Sequence, residues 1–542
     1  MKMLVEKFLK DLKSIVEKDF SVELNFKDYE ILSFTDFGDI STNISFQIAK
    51  SVKKNPLKIA EEISEKLAKD YGYKSEPVKP GFINIFFDDK EIFKECEKIV
   101  SGNRYGEKEN NNKKVNIEFI SANPTGPLVL VNLRAGVSGN MLYNVLKYSG
   151  YNVERENYIN DAGNQIYNFG ASILYHIAKN KPENFPENGY KGNYVKDISN
   201  KLKENIGEVE YNDEYIKKAA DFGKEFILNW QKESLKKYSI DFENWIFESE
   251  VRKKYLDGVL EKLSEKGFTY SKDNALYLKT TLFGDDKDRV IIKSNGEYTY
   301  FLPDIAYHFY KTERGFERII DILGPDHHGY IPRLNAAIKM VSERDIKFDV
   351  IIAQLVTIFK DGQKYEMSKR TGEFITLDEL SEEIDPDVLK FTILSRKLSQ
   401  PFNFDIEKVK EKSMDNPVYY VQYSYARLSS LFDKANTDIK DISFDYENFE
   451  NIDLRKIAKK LLEFPYIVYN LSDSYELQKV PNYLIELSSL INQFYHDYRI
   501  IDENRKEMIK KISVLFSARE ILKIGLSLMG ITIKERMYKD EV

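Results

Sequence analysis

A single cysteine, Cys96, in 542 residues excludes an internal disulfide framework and any cysteine-rich zinc site. Long apolar runs are also missing. No stretch is uninterrupted enough to span a bilayer, and Met1 to Phe20 alternates charged and apolar residues where a signal peptide needs a continuous apolar core. The chain is therefore expected to be cytoplasmic, with no membrane partner. Proline is scarce, at 15 residues, and 42% hydrophobic with 31% charged residues is the balance of a folded protein rather than a disordered one. A basic surplus is absent too: 81 Lys and Arg face 88 Asp and Glu, for a net charge of −7. That total points away from a general polyanion binder. RNA contact depends on where the basic residues sit, however, so the sign of the total decides nothing. There is no internal repeat and no long low-complexity tract.

The length exceeds what one core organises and points to about three or four domains. Helical periodicity from Leu4 to Ile15 and through Ile59, Ile63 and Leu67, followed by a short apolar strand at Phe82 to Phe87, predicts a small α/β unit over residues 1–112. Its boundary falls in the polar linker Ser101 to Lys114. Val115 to Ile120 then reads as a strand and Ser121 to Leu128 as a Pro/Gly loop. The next helix carries Leu133, Val137, Met141, Leu142 and Val145 on one face. Strand, glycine-bearing loop and helix form the nucleotide-binding opening of a doubly wound sheet, and Asn152 to Ile159 supplies a second strand at crossover distance. The expected sheet domain covers 113–404, with a helical insertion at about 167–265 and returning strands at Leu276–Thr280, Val290–Lys293 and Tyr298–Leu302. From 405 to 542 the pattern is continuously helical and predicts an all-α bundle. The fold class is α/β: a Rossmann-like parallel-sheet domain, a small α/β N-terminal domain and an all-α C-terminal bundle.

Three stretches carry the candidate chemistry. Asn123-Pro124-Thr125-Gly126-Pro127 precedes a helix N-terminus, whose free N–H groups and dipole favour a phosphate. Leu323 to Tyr330 contains Asp326-His327-His328, but no third and fourth ligand follows at suitable spacing, so no metal site is expected. Glu366 to Gly372 reads Glu-Met-Ser-Lys-Arg-Thr-Gly.

Together with Ser121 to Asn132 and Tyr158-Ile159-Asn160-Asp161-Ala162-Gly163-Asn164-Gln165, these stretches resemble the pattern of the arginyl-tRNA synthetases, a family of class I aminoacyl-tRNA synthetases. The likeness runs from about residue 30 to Met537. It implies ATP as substrate with Mg2+, arginine and tRNA as partners, and a monomer. Glu118, Asn123, Tyr300, Asp304 and Asp326 match the positions that hold arginine, whose guanidinium needs carboxylates in bidentate geometry. Thr125, Gly126, Pro127, Val129, Val131, Asn132, Gly324, His327, His328, Met367, Ser368 and Lys369 match the ATP side. Of these, Lys369, Asn132 and His327 are the catalytic candidates, Lys369 as the compact cation facing the departing pyrophosphate. Asn43, Asn416, Tyr420, Gln422 and Met537 match tRNA-contacting positions of the terminal domains.

The chain departs from the family at the centre of this signature. Val129-Leu130-Val131-Asn132 stands where the family has His-x-Gly-His, and Asn140 where it has Asp. Val129 has no donor, Asn132 donates through its amide, and Val131 is expected to crowd the adenine. Two readings follow. One is an arginine–tRNA ligase with altered ATP handling. The other is a non-catalytic relative that binds arginine or tRNA as a sensor, regulator or partner subunit.

Overall fold

The computed structural model describes residues 3–23, 27–102, 104–365, 374–411, 413, 415–437 and 441–537; the side chains of residues 28, 29 and 328 also lie outside that description. The chain divides into two compact units, Asn110–Glu411 and Met1–Glu109 with Lys412–Val542.

The unit Asn110–Glu411 is built on five strands: β1 (Lys114–Glu118), β2 (Asn152–Ile159), β3 (Asn244–Phe247), β4 (Arg318–Leu323) and β5 (Lys347–Ile352). They pair in the order β5-β4-β1-β2-β3, every pair parallel. The central strands β1 and β4 are almost wholly buried, as sheets covered on both faces require. The chain winds outward from β1 through β2 and β3, then returns to β4 on the other side of β1. Between β1 and β4 the strand order reverses, which leaves a crevice at their C-terminal ends.

Helix α1 (Leu130–Tyr148) makes the first crossover and buries Leu133, Val137, Met141, Leu142 and Val145, the five residues expected on its apolar face. Two glycines let it lie close to β1. A Cβ on Gly139 would sit 2.3 Å from the Phe119 ring, and one on Gly136 would sit 2.9 Å from Ile120 Cδ1.

The stretch expected as a helical insertion contains α2 (Asn164–Tyr175), α3 (Asn193–Ile206), α4 (Asp213–Lys236) and α5 (Glu248–Glu265). It also contains β3, which is hydrogen-bonded to β2 and so belongs to the main sheet. Four residues, Asn-Trp-Ile-Phe, are too few for a period to show. Tyr298–Leu302, expected as a strand, is not one: Tyr298 makes a single bridge to Ile292, and α6 (Phe301–Glu313) begins three residues later. The aromatic alternation imitates a strand, but Pro303 falls in the first turn of α6, where its missing N–H costs no hydrogen bond. Helix α7 (Ile331–Val341) joins β4 to β5. A small sheet follows, with Val356–Lys360 paired antiparallel to Gln363–Tyr365 and parallel to Phe402–Asp405.

In the other unit, a four-stranded antiparallel sheet (Leu32–Ser33, Ile40–Thr42, Phe82–Phe86, Lys74–Val78) is accompanied by helices including Leu4–Phe20 and Pro56–Tyr71. Its all-α part consists of Pro417–Lys434, Ile452–Ser474, Lys479–Asp497 and Arg505–Leu528. Leu484, Leu487, Ile491, Ile512 and Leu515 are buried there, at the helical spacing read from the sequence. Arg455 grips Asp39 through both Nη atoms at 2.8 and 3.0 Å and Asp89 through Nε at 2.7 Å. Among the described residues, no helix is long and apolar enough to cross a membrane.

Candidate active site

At the switch point between β1 and β4 the structure opens a cleft of about 920 Å³. The chain leaves β1 at Glu118 and turns sharply: Ile120 and Ser121 have φ of 71° and 40°, a left-handed conformation that a β-branched residue rarely adopts. The turn is locked by Ser121, whose Oγ donates to Glu118 at 2.7 Å and accepts the Tyr158 N–H at 3.2 Å. This strain directs residues 121–125 along the cleft wall.

Beneath the cleft lies a buried ionic layer. Lys311 Nζ donates to Glu118 at 2.6 Å and to Asp321 at 2.9 Å, and His308 Nε2 lies 2.9 Å from the other Asp321 oxygen. Burial disfavours the Asp321 carboxylate, but Lys311 and His308 overcome it and hold the carboxyl below the usual carboxylate range. Tyr307 adds a 2.6 Å hydrogen bond to Glu156 of β2.

Asp304 is different. It is half-buried in the cleft wall, in the first turn of α6, accepts a hydrogen bond from Tyr330, and has no ion-pair partner among the described residues. Burial therefore pushes its carboxyl up to about 6. Burial also raises the carboxyl of Glu248, the first residue of α5, against the opposing pull of Arg252. The Tyr158 hydroxyl is buried without a partner and lies in the field of Glu248, Asp304 and Glu118. The cleft thus holds an acid, Asp304, that no cation among the described residues balances, which is the electrostatic complement of a bound cation.

The structure gathers most of the sequence-derived candidates here. Glu118, Asn123, Tyr300, Asp304, Asp326, Thr125, Asn132, Gly324 and His327 line the cleft. Tyr300 is 82% exposed at the rim. His327 stands at the same edge, its Nε2 3.6 Å from Asp326. Asn123 donates to Gln165 at 2.6 Å.

The rest of the ATP-side set is not in the lining. Gly126 and Pro127 lie behind it, where the Gly126 carbonyl accepts from Gln231 at 2.8 Å. Val129 is buried as the N-cap of α1 and bridges to Thr376. Val131, the second residue of α1, is exposed and is not among the residues that line the cleft. Asn140 is also remote; its Oδ1 accepts from Arg155 at 2.9 Å, and Glu243 balances that guanidinium. Met367, Ser368 and Lys369, and the side chain of His328, lie outside the described residues.

Among the tRNA-side candidates, Asn43 and Asn416 stand at helix N-termini, and Tyr420 and Met537 are half-buried. Gln422 is corrected. It is fully buried, on the same helix face as Val418, Val421 and Tyr425, and donates to the Thr532 carbonyl at 2.9 Å.

The sequence reading missed Lys311, His308, Tyr307, Asp321 and Glu248. A signal existed for the first three: Asp304, Tyr307, His308 and Lys311 share one helix face at i, i+3, i+4 and i+7, a polar stripe where core residues would be expected. Asp321 gives a matching hint as one acid inside the apolar run Arg318–Leu323. Among the described residues, no group of three or more His, Cys, Asp or Glu is placed to hold a metal.

Comparison with known proteins agrees across the chain. Residues 2–87 match the arginyl tRNA synthetase N terminal domain, 96–392 the catalytic domain of class I (R) tRNA synthetases, and 421–537 the DALR anticodon binding domain. The arginine–tRNA ligase of Aquifex aeolicus is 36% identical, with 99% of this chain and all of the relative covered. That of Thermotoga maritima is 37% identical over the same shares. The solved arginyl-tRNA synthetase of Thermus thermophilus shares the fold, with a TM-score of 0.80 and 19% identity over 99% of this chain and all of that one. The chain belongs to the arginyl-tRNA synthetase family of class I aminoacyl-tRNA synthetases.

Proposed function

We infer that this chain is an arginine–tRNA ligase. The arginine carboxylate attacks the α-phosphorus of ATP, pyrophosphate leaves, and a terminal ribose hydroxyl of tRNA then takes the arginyl group and releases AMP. The observation that carries the reading is the half-buried acid Asp304, which has a hydroxyl partner and no ion-pair partner among the described residues, beside Glu248 in a cleft at the sheet's switch point.

A guanidinium supplies the missing charge. Its planar donors suit carboxylates, and a bound guanidinium favours the ionised form of Asp304 that burial disfavours. The Tyr158 hydroxyl gives the same ligand a further polar contact. Glu118, Asn123, Tyr300 and Asp326 complete the proposed arginine wall. Glu118 acts there with its charge already shared by Lys311.

On the ATP side, Asn132 replaces a histidine of the family signature. Its Oδ1 accepts the Val129 N–H at 3.1 Å, so the amide is oriented and its Nδ2 hydrogens remain to donate to a phosphate. Thr125, Gly324 and His327 share that wall, and His328 and the Met367-Ser368-Lys369 sequence belong to the same proposal. Mg2+ enters with ATP as part of the substrate. Asn43, Asn416, Tyr420 and Met537 remain proposed tRNA contacts.

The direct test is aminoacylation with labelled arginine and tRNA. Arginine-dependent label on tRNA is expected, with no label from lysine. Label from lysine equal to that from arginine would overturn the assigned specificity.

A further inference from the structure

Arg134, in the second turn of α1, is only 1% exposed and has no carboxylate partner among the described residues. Its guanidinium instead donates to four main-chain carbonyls. Nη1 reaches Gln354 at 2.8 Å and Leu355 at 3.3 Å; Nη2 reaches Lys397 at 2.9 Å and Gln400 at 2.7 Å. Nε has no partner. Burial without a counter-charge pulls the group down to about 10. An apolar side chain would fill the space without that cost, so the fork geometry is what distinguishes arginine here.

The four carbonyls belong to two segments that enter one small sheet. Gln354 and Leu355 precede Val356–Lys360, Lys397 and Gln400 precede Phe402–Asp405, and these strands pair in parallel. The first strand turns back through Gln363–Tyr365, after which the sequence runs into Glu366-Met367-Ser368-Lys369. The returning chain also docks on the start of α1: Leu377 N–H donates to the Leu128 carbonyl at 3.0 Å, and Thr376 bridges to Val129. Both flanks of the Met-Ser-Lys sequence are thus tied to the helix end that presents Asn132 to the cleft. Arg134 forms the tie on the outgoing side.

We propose that Arg134 is a positioning residue for adenylate formation, its guanidinium fixing the small sheet against the N-terminal end of α1 so that Asn132 is held at one place in the cleft wall. The proposal rests on the ligase reading. Arginine recognition at Asp304 and Glu248 uses neither of the joined segments, so the two functions separate on substitution.

The test uses Arg134→Lys and Arg134→Met in the full chain with tRNA present. Lysine keeps the charge but offers donors from a single point and cannot span two segments. The maximal rate of ATP–pyrophosphate exchange is expected to fall about 100-fold, the scale of an ångström-size misplacement, while arginine affinity by calorimetry stays unchanged. Amide hydrogen exchange is expected to quicken in 356–365 and 402–405 and to stay constant in β1 and β4. If Arg134→Met does not fold, the lysine variant carries the test alone. Unaltered exchange rate in folded Arg134→Lys, or a parallel loss of arginine affinity, would overturn the proposal. Absence of exchange in the unaltered protein would overturn the ligase reading and the proposal with it.

Discussion

Lys311 donates to Glu118 across 2.6 Å in a position wholly closed to solvent. Because the same ammonium holds Asp321, one side chain clamps the C-terminal ends of β1 and β4 where the strand order reverses. The cleft is the opening this clamp leaves. Replacing Lys311 with methionine strands two buried carboxylates, and breaking a buried pair from one side costs about 3–5 kcal/mol. Urea unfolding of Lys311→Met is expected to show a loss of that size. A change below about 1 kcal/mol would mean the pair is not buried as described.

Asp304→Asn keeps the shape of the side chain and removes the charge that faces the proposed guanidinium. A hydrogen bond to a charged group contributes roughly 1.5–3 kcal/mol, about twice a neutral one, so arginine affinity is expected to weaken about tenfold. ATP affinity should not move. Calorimetry with each ligand separates the outcomes; equal loss for both would place Asp304 outside the arginine wall.

The raised Asp304 carboxyl makes both stability and binding depend on pH. Its ordinary value is 3.8 and its folded value about 6, so between these the native state holds a proton that the unfolded state has released. Stability from this group is therefore full below about pH 4 and falls as pH rises through 6, by an order of about 3 kcal/mol. Arginine binding runs the other way. A guanidinium favours the carboxylate, so affinity is expected to rise about tenfold per pH unit up to 6 and then to level off. Asp304→Asn should flatten that dependence, as read by calorimetry from pH 5 to 8.

Asn132 has two separable duties. Asn132→Asp keeps the oxygen that caps the Val129 N–H but removes the amide donor and adds charge near the phosphates. Its stability is expected to match that of the unaltered protein, with pyrophosphate exchange reduced about 100-fold or more. Asn132→Ala also loses the cap, at about 1 kcal/mol. If exchange in Asn132→Asp stays near that of the unaltered protein, the amide donates to no phosphate.

What was legible in the sequence follows from how local each signal is. The β1–loop–α1 opening was readable because Pro124, Gly126 and Pro127 punctuate it and α1 has a full apolar period. β2, Asn152–Ile159, was found residue for residue. β3 was missed because four residues carry no period, and Tyr298–Leu302 was misread because aromatic alternation outweighed the helix-start role of Pro303. At the site, residues next to a motif were found, whereas the polar stripe of α6 and the lone acid of β4 hint at Lys311 and Asp321 but show their partner Glu118 only when β4 and α6 meet β1. Gln422 was named by its match to a tRNA-contacting position, but its side chain points into the bundle.

The most direct measurement is arginine-dependent ATP–pyrophosphate exchange with tRNA present, comparing the unaltered protein with Lys369→Ala. The account predicts exchange well above that control, showing that the loop Val129-Leu130-Val131-Asn132 supports adenylate formation with Asn132 as its donor. Arginine that binds the cleft while exchange stays at the control level would contradict it and leave a protein that holds arginine without activating it.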